Sequence, residues 1–284
     1  MEQGNETNSR AILNKYGFRF KKRWGQNFLF DTNFLKRMSQ AAQISPGDAV
    51  VEIGPGAGTL TKVLSAEGAE VLAVEIDESL APVLAEVLAG TSARVVYGDV
   101  LQLNLDALTR EYNLKWPYKI VANLPYYITT PILMNLLEKG YHFELLVIMV
   151  QWEVAQRLTA QPGSKDYGAI TLAVNYYTES KLLYKVPRQL FSPAPEVDSA
   201  VVYFKRRSEP PVQVTDQKHL FKLIKAGFNQ RRKVLANALL AAEAGMTKEK
   251  LGQILTAAGI DGQRRGETLS LQEYARLSNI WIGY

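Results

Sequence analysis

From residue 49 onward, short apolar runs rich in β-branched residues alternate with stretches whose apolar positions recur at three- and four-residue spacing. The short runs predict strands over 49–53, 71–74, 94–97, 119–122 and 145–150, and the wider spacing predicts helices over 59–66, 80–88 and 131–137. Pro82 falls in the first turn of the second helix, where a missing N–H breaks no helical bond. The 145–150 run, Leu-Leu-Val-Ile-Met-Val, is too apolar to be half exposed and implies a sheet covered on both faces. Strands alternating with helices imply a parallel, doubly wound sheet. Two later runs, 182–186 and 199–204, read as antiparallel-type strands.

The pattern changes at Arg206-Arg207-Ser208-Glu209-Pro210-Pro211, a polar linker carrying two prolines. Beyond it Leu220, Phe221, Ile224, Phe228, Leu235 and Leu239 recur at helical spacing, Gly245 marks a stop, and further helices are expected around 251–255 and 271–277. The expected organisation is an N-terminal arm over 1–24, an α/β domain over 25–206 and a small all-α domain over 207–284.

Composition narrows the chemistry. With no cysteine the chain has no disulfide, iron–sulfur or cysteine-ligated zinc chemistry, and two histidines without HExxH spacing argue against a histidine metal site. No segment reads as a signal peptide or a membrane span, so the expected location is cytoplasmic, with a monomer as the default. The net charge of +5 is unevenly spread: residues 10–37 hold eight Lys or Arg against one acid, residues 205–284 fourteen against seven, and the middle is net acidic. Two basic ends around an acidic centre suit a polyanion gripped from both sides.

Candidate chemistry clusters at the ends of the predicted strands. Gly54-Pro55-Gly56-Ala57-Gly58 lies between a strand and a helix, and Glu75, at the end of the next strand, is placed to bind both hydroxyls of a ribose. The third glycine comes one residue early for a dinucleotide fingerprint, and the loop lacks the Gly-Lys-Ser/Thr of a phosphate loop. Glu52 would repel a pyrophosphate but suits a cationic methionine moiety, so S-adenosylmethionine fits better than NAD. Gly98-Asp99 ends the third strand, where a carboxylate could accept from the cofactor's adenine amine. Asn123-Leu124-Pro125-Tyr126 follows the fourth strand. The Asn123 side-chain carbonyl and the Leu124 or Pro125 backbone carbonyl would accept from an exocyclic amine, and Tyr126 would stack on its ring. Phe191, in Phe191-Ser192-Pro193-Ala194-Pro195, is the candidate for the opposite aromatic wall of a pocket for an unstacked base. No general base is assigned, because the methylated ammonium formed is itself very acidic.

These residues resemble one family, the ribosomal-RNA adenine dimethyltransferases, over about residues 16–279. The likeness rests on Gly25-Gln26-Asn27-Phe28-Leu29, Glu52-Ile53-Gly54-Pro55-Gly56, Glu75-Ile76-Asp77, Gly98-Asp99-Val100, Ala122-Asn123-Leu124-Pro125-Tyr126 and residues 191–199. It implies a Rossmann-like methyltransferase domain, with cofactor contacts at Asn27, Leu29, Gly54, Glu75, Asp99 and Asn123; Gly56, Ile76 and Val100 are expected in the same site. It further implies dimethylation of two adjacent adenosines near the 3′ end of small-subunit (16S) rRNA during ribosome biogenesis, with the immature small subunit as partner. Segments 162–168 and 260–267 look like the small-subunit branch rather than the large-subunit, macrolide-resistance branch. An assembly factor whose RNA binding matters more than catalysis is the reading from another class. The expected RNA contacts are Lys21, Lys22 and Arg23, in an arm that interleaves cations with aromatics, together with Arg231, Arg232, Lys233, Arg264 and Arg265. Residues 1–10 are expected to be disordered.

Overall fold

The computed structural model describes residues 6–21, 24–230 and 233–284. The chain divides into two compact units, Met1–Ala155 with Lys181–Arg206, and Gln156–Ser180 with Arg207–Tyr284.

The first unit is built on β2 (Ala49–Ile53), β3 (Glu70–Glu75), β4 (Arg94–Tyr97), β5 (Tyr118–Asn123), β6 (Phe143–Gln151), β7 (Thr178–Val186) and β9 (Ser199–Arg206). Their order across the sheet is β4-β3-β2-β5-β6-β9-β7. The first five run parallel, with Val51 opposite Leu72 on one side and Ile120 on the other, and β9 pairs antiparallel with β6. The strand order reverses between β2 and β5, which opens a crevice at their carboxyl ends. All of β2 is buried, and Leu146, Val147 and Ile148 of β6 are fully enclosed. Each such side chain contributes about 1.5–3 kcal/mol relative to exposure, so these runs hold the sheet between its helical layers.

On one face α2 (Thr32–Ala41) and α3 (Thr59–Ala66) bring Leu35, Met38, Leu60 and Leu64 onto Val50, Val121 and Val147. Asp31 caps α2 by accepting from the N–H groups of Asn33 and Phe34. A two-stranded ribbon, β1 (Phe28–Leu29) with β8 (Phe191–Ser192), sets Leu29 opposite Phe191.

Residues 6–10, expected to be disordered, are helical: α1 spans Glu6–Lys15, and residues 1–5 lie outside the described residues. Ile12 and Leu13 are buried in a cluster with Leu80, Leu84 and Val87 of the segment running into α4 (Ala81–Val87), and Lys15 and Tyr16 both donate to Glu86, at 2.7 Å and 2.9 Å. A single short apolar run, Ala11-Ile12-Leu13, carries too weak a period to reveal this helix; Leu80, Leu84 and Val87 supply the surface that buries Ile12 and Leu13. Further along, α5 (Leu105–Glu111) follows β4 and α6 (Thr129–Glu138) follows β5, completing the strand–helix alternation.

The second unit is helical. Segment 156–180, placed with the sheet by its position before the linker, belongs here; it takes in the end of α7 (Trp152–Leu158) and the whole of α8 (Ala169–Tyr177). Tyr167, Leu172 and Tyr176 are buried in the helical core, and the Tyr167 hydroxyl donates to the Leu269 carbonyl at 3.0 Å. The rest of that core comes from Leu220 and Ile224 of α9 (Gln217–Asn229), Leu235 and Leu239 of α10 (Leu235–Ala242), Leu251 and Ile254 of α11 (Lys248–Ala257), and Leu277 of α12 (Leu271–Ile282). Gly227 of α9 is packed so closely on the Tyr274 hydroxyl that a Cβ would collide with it, and that hydroxyl donates to the Gly266 carbonyl at 3.1 Å.

Candidate active site

The carboxyl ends of β2, β3, β4 and β5 converge on one cavity of about 1020 Å³, counting its open mouth. Asn27, Leu29, Gly54, Gly56, Glu75, Ile76, Asp99, Val100 and Asn123, the nine expected cofactor residues, all line it, as do Leu124, Pro125 and Tyr126.

The glycine loop is tied to its neighbours through the backbone: Gly54 N–H donates to the Val74 carbonyl at 2.9 Å, and Gly56 N–H to Glu75 Oε2 at 3.1 Å. Gly56 has φ +55°, and a Cβ there would lie 2.8 Å from the Phe28 ring, so loop and ring fit only because the side chain is absent. Glu75 is 5% exposed, and its Oε1 accepts from the Asp77 N–H at 2.9 Å. Burial raises its pKa, against the pull of these backbone bonds. Asp99 accepts from the Leu101 N–H through Oδ1, which leaves its other oxygen for a ligand.

Segment 25–29 is strapped over the same crevice. Asp77, 4% exposed, accepts from Lys21 Nζ at 2.6 Å, Gln26 Nε2 at 2.8 Å and the Ser79 hydroxyl at 2.6 Å. Burial alone would raise the Asp77 pKa, but the hydrogen bonds from Lys21, Ser79 and Gln26 outweigh it and hold the carboxyl below its usual range. Lys21, expected to contact RNA, therefore spends its charge on Asp77.

At the reacting end, Asn123 is the last residue of β5. Its Nδ2 donates to the Asn27 carbonyl at 3.1 Å, and its Oδ1 accepts from no described residue. The Pro125 carbonyl accepts from the Ile128 N–H at 3.2 Å and the Thr129 hydroxyl at 3.0 Å, whereas the Leu124 carbonyl accepts from no described residue. Tyr126 is pinned through its hydroxyl, 2.5 Å from Ser199 Oγ at the start of β9, and burial raises its pKa. Tyr127 is 54% exposed at the rim, its ring 3.1 Å from where a Cβ on Gly25 would stand. Phe191 does not line the cavity. It is 4% exposed, paired with Leu29 and buried among Leu29, Leu35 and Val201, so its ring serves the core rather than a pocket wall.

Among the basic residues, Lys22, Arg23, Arg231 and Arg232 lie outside the described residues. Arg264 is committed to Glu273, which it grips with two nitrogens, and to Thr268, whose carbonyl accepts at 2.7 Å. Lys233 and Arg265 are exposed, on adjoining segments joined where the Leu235 N–H donates to the Arg264 carbonyl at 2.7 Å. Tyr127 carries no sign in the sequence of its place at the rim, and Ser199, though inside the 191–199 motif, none of its pairing with Tyr126. Gln26 and Asp77 sit inside recognisable motifs, but their mutual contact spans 51 residues and has no local signal.

A doubly wound sheet with this glycine loop and an Asn-Leu-Pro-Tyr turn at its switch point defines a Rossmann-like methyltransferase. The family model described as "Ribosomal RNA adenine dimethylase" matches residues 17–277, and the chain belongs to that family. It is 48% identical over 275 residues to "Ribosomal RNA small subunit methyltransferase A" of Moorella thermoacetica, covering 94% of each chain. It is 47% identical to the protein of the same name from Geobacillus thermodenitrificans, covering 95% of this chain and 94% of that one. Among solved structures, the 23S rRNA methyltransferase ErmE superposes with a TM-score of 0.66 at 28% identity, over 89% of this chain and 99% of that one. A dimethyladenosine transferase from Plasmodium falciparum gives 0.71 at 23% identity over 88% and 95%, a likeness of fold.

Proposed function

We propose that this enzyme uses S-adenosylmethionine to dimethylate the exocyclic amines of two adjacent adenosines near the 3′ end of 16S rRNA. The observation that carries the reading is the Asn123 amide: its nitrogen is held by Asn27, its oxygen accepts from no described residue, and it lines the cavity that Gly54, Gly56, Glu75 and Asp99 also line. The residues present suit that cofactor. Glu75 and Asp99 offer carboxylate oxygens to ribose hydroxyls and an adenine amine, Gly56 lets the backbone come close, and the buried Glu52 carboxyl faces the cavity with no cation beside it.

Bound there, the cofactor supplies a methyl group on a sulfonium, already a good leaving group. The protein's task is to prepare the nucleophile, because the lone pair of an adenine amine is delocalised into its ring. Asn123 Oδ1 and the Leu124 carbonyl accept the amine's two hydrogens and aim the lone pair at the methyl carbon. With its carbonyl already doubly engaged, Pro125 fixes the turn instead. Tyr126 stacks on the base from a ring anchored at Ser199, an interaction worth about 1–3 kcal/mol.

Exposed Lys233 and Arg265 hold RNA through its phosphates; Lys22, Arg23, Arg231 and Arg232, expected to do the same, lie outside the described residues. The working partner is the immature small subunit, met by a cytoplasmic monomer; no described helix is long and apolar enough to cross a membrane. Offering small and large subunits that lack these methyl groups, with methyl-labelled S-adenosylmethionine, tests the reading. Dimethyladenosine in small-subunit rRNA is the expected product; label confined to the large subunit would overturn the choice of target.

A further inference from the structure

Glu52 is a carboxyl in an unusual place. It is 1% exposed yet lines the cavity. Its in-register neighbours are Ala73 on β3 and Val121 on β5, both fully buried, so neither flanking strand gives it a donor. Its Oε2 has no hydrogen-bond partner, and neither does the hydroxyl of Thr59, which also lines the cavity. The groups that act on it are Thr61 from α3 and the Glu75 carboxylate from β3; no cation faces it among them. Burial, with a further push from Glu75 and against the pull of Thr61, raises its pKa to about 8. In the free protein at neutral pH Glu52 therefore carries its proton. A buried carboxylate without a cation is unfavourable, and the same buried site becomes favourable once a cation enters.

We propose that Glu52 ionises as the cofactor binds, its carboxylate pairing with a cationic group of the cofactor, the ammonium or the sulfonium, so that each binding event releases a proton from the protein. This rests on reading the cavity as an S-adenosylmethionine site. The O–H bond of Glu52 breaks, the proton passes to solvent, and the carboxylate takes the incoming cation as its partner. The Thr61 hydroxyl, which favours the charged form, donates to it. Because the pKa is raised in the free protein, affinity for a cationic ligand rises with pH below that value and levels off above it. The arrangement also selects against neutral nucleosides, which give Glu52 no reason to ionise.

Isothermal titration calorimetry in two buffers of different ionisation enthalpy counts the protons. The ligands are S-adenosylmethionine, S-adenosylhomocysteine and 5′-methylthioadenosine; the last keeps the nucleoside but has neither ammonium nor sulfonium. At about pH 6.5, below both Glu52 and a free amino group near 8, S-adenosylmethionine should release close to one proton. Its affinity should rise about tenfold per pH unit there. Methylthioadenosine should release none, which controls for Glu75 at the ribose. Release with S-adenosylhomocysteine as well supports the proposal and assigns the pairing to the ammonium; release with S-adenosylmethionine alone supports it and assigns the pairing to the sulfonium. Glu52→Gln should bind without proton release, and the ligand series on the unaltered enzyme stands without that variant. S-adenosylmethionine binding with no release, or equal release from methylthioadenosine or from Glu52→Gln, would overturn the proposal. Failure of all three ligands to bind would overturn the cofactor reading itself, and the proposal with it.

Discussion

The side chain of Asn123 donates to the main-chain carbonyl of Asn27 over 3.1 Å, joining residues 96 positions apart. One bond thus links the end of the central strand β5 to the strap that crosses the crevice, and it decides which end of the amide faces the cavity. Asn123→Asp sets a carboxylate oxygen against the Asn27 carbonyl in place of the donor. The strap should loosen, with a cost of about 1–3 kcal/mol. Hydrogen exchange should show faster exchange of amides 25–29 while the amides of β5 and β6 stay protected.

Tyr126 and Ser199 allow stacking and anchoring to be separated. Tyr126→Phe and Ser199→Ala each remove the 2.5 Å hydroxyl pair but keep the ring, so each should lower stability by about 0.5–1.5 kcal/mol. Each should also reduce kcat several-fold through a less fixed platform. Tyr126→Ala removes the platform, and RNA binding should weaken by a further 1–3 kcal/mol or so. Thermal melts together with steady-state kinetics separate the three variants.

Gly56→Ala introduces a Cβ 2.8 Å from the Phe28 ring at φ +55°. The left-handed conformation costs a non-glycine residue about 1–2 kcal/mol, and the loop must also move away from Phe28. Cofactor affinity should fall more than tenfold. Binding calorimetry on the folded variant, its fold checked by circular dichroism, measures this.

The basic residues of the helical unit should divide by role. Arg264→Ala breaks the pair with Glu273 and frees the Thr268 carbonyl, so it should destabilise the protein by about 1–3 kcal/mol. Exposed Lys233 and Arg265 should do the reverse. Substitution by Gln should leave the melting temperature unchanged while lowering the slope of log affinity against log salt by about one for each phosphate no longer neutralised. Filter binding at several salt concentrations distinguishes the two classes.

The strap also predicts an acid response. The folded pKa of Asp77 lies below its ordinary value of 3.8, so its bonds to Lys21 and Gln26 contribute fully above that pH. Their contribution is lost as pH falls from there through the folded value. Lys21→Met removes the largest single support of the carboxylate, and acid unfolding should then begin at a higher pH than in the unaltered protein.

The strands that build the sheet and the turn that carries Asn123 are legible in the sequence because their signals are local: β-branched pairs such as Val50-Val51 and Val147-Ile148, and an Asn-Leu-Pro-Tyr turn at a strand's end. The choice of distant partner is not. Lys21 reads as an RNA contact until Asp77 arrives from the end of β3, and Arg264 does so until Glu273 is seen beside it. An aromatic in a proline-rich loop reads alike whether it faces a core or a cavity; for Phe191 the pairing with Leu29 decides. Segment 156–180 is ambiguous for the same reason, since Tyr167 and Tyr176 show no preference for sheet or helices until their burial partners are known.

The central claim is that Asn123 presents its oxygen to the reacting amine, and single-turnover methyl transfer by Asn123→Ala tests it most directly, with cofactor affinity measured separately. Loss of one preorganised acceptor should slow transfer to small-subunit RNA by about 10²–10³ while cofactor affinity changes only a few-fold. Transfer at the unaltered rate, or a loss explained wholly by weaker cofactor binding, would contradict the account.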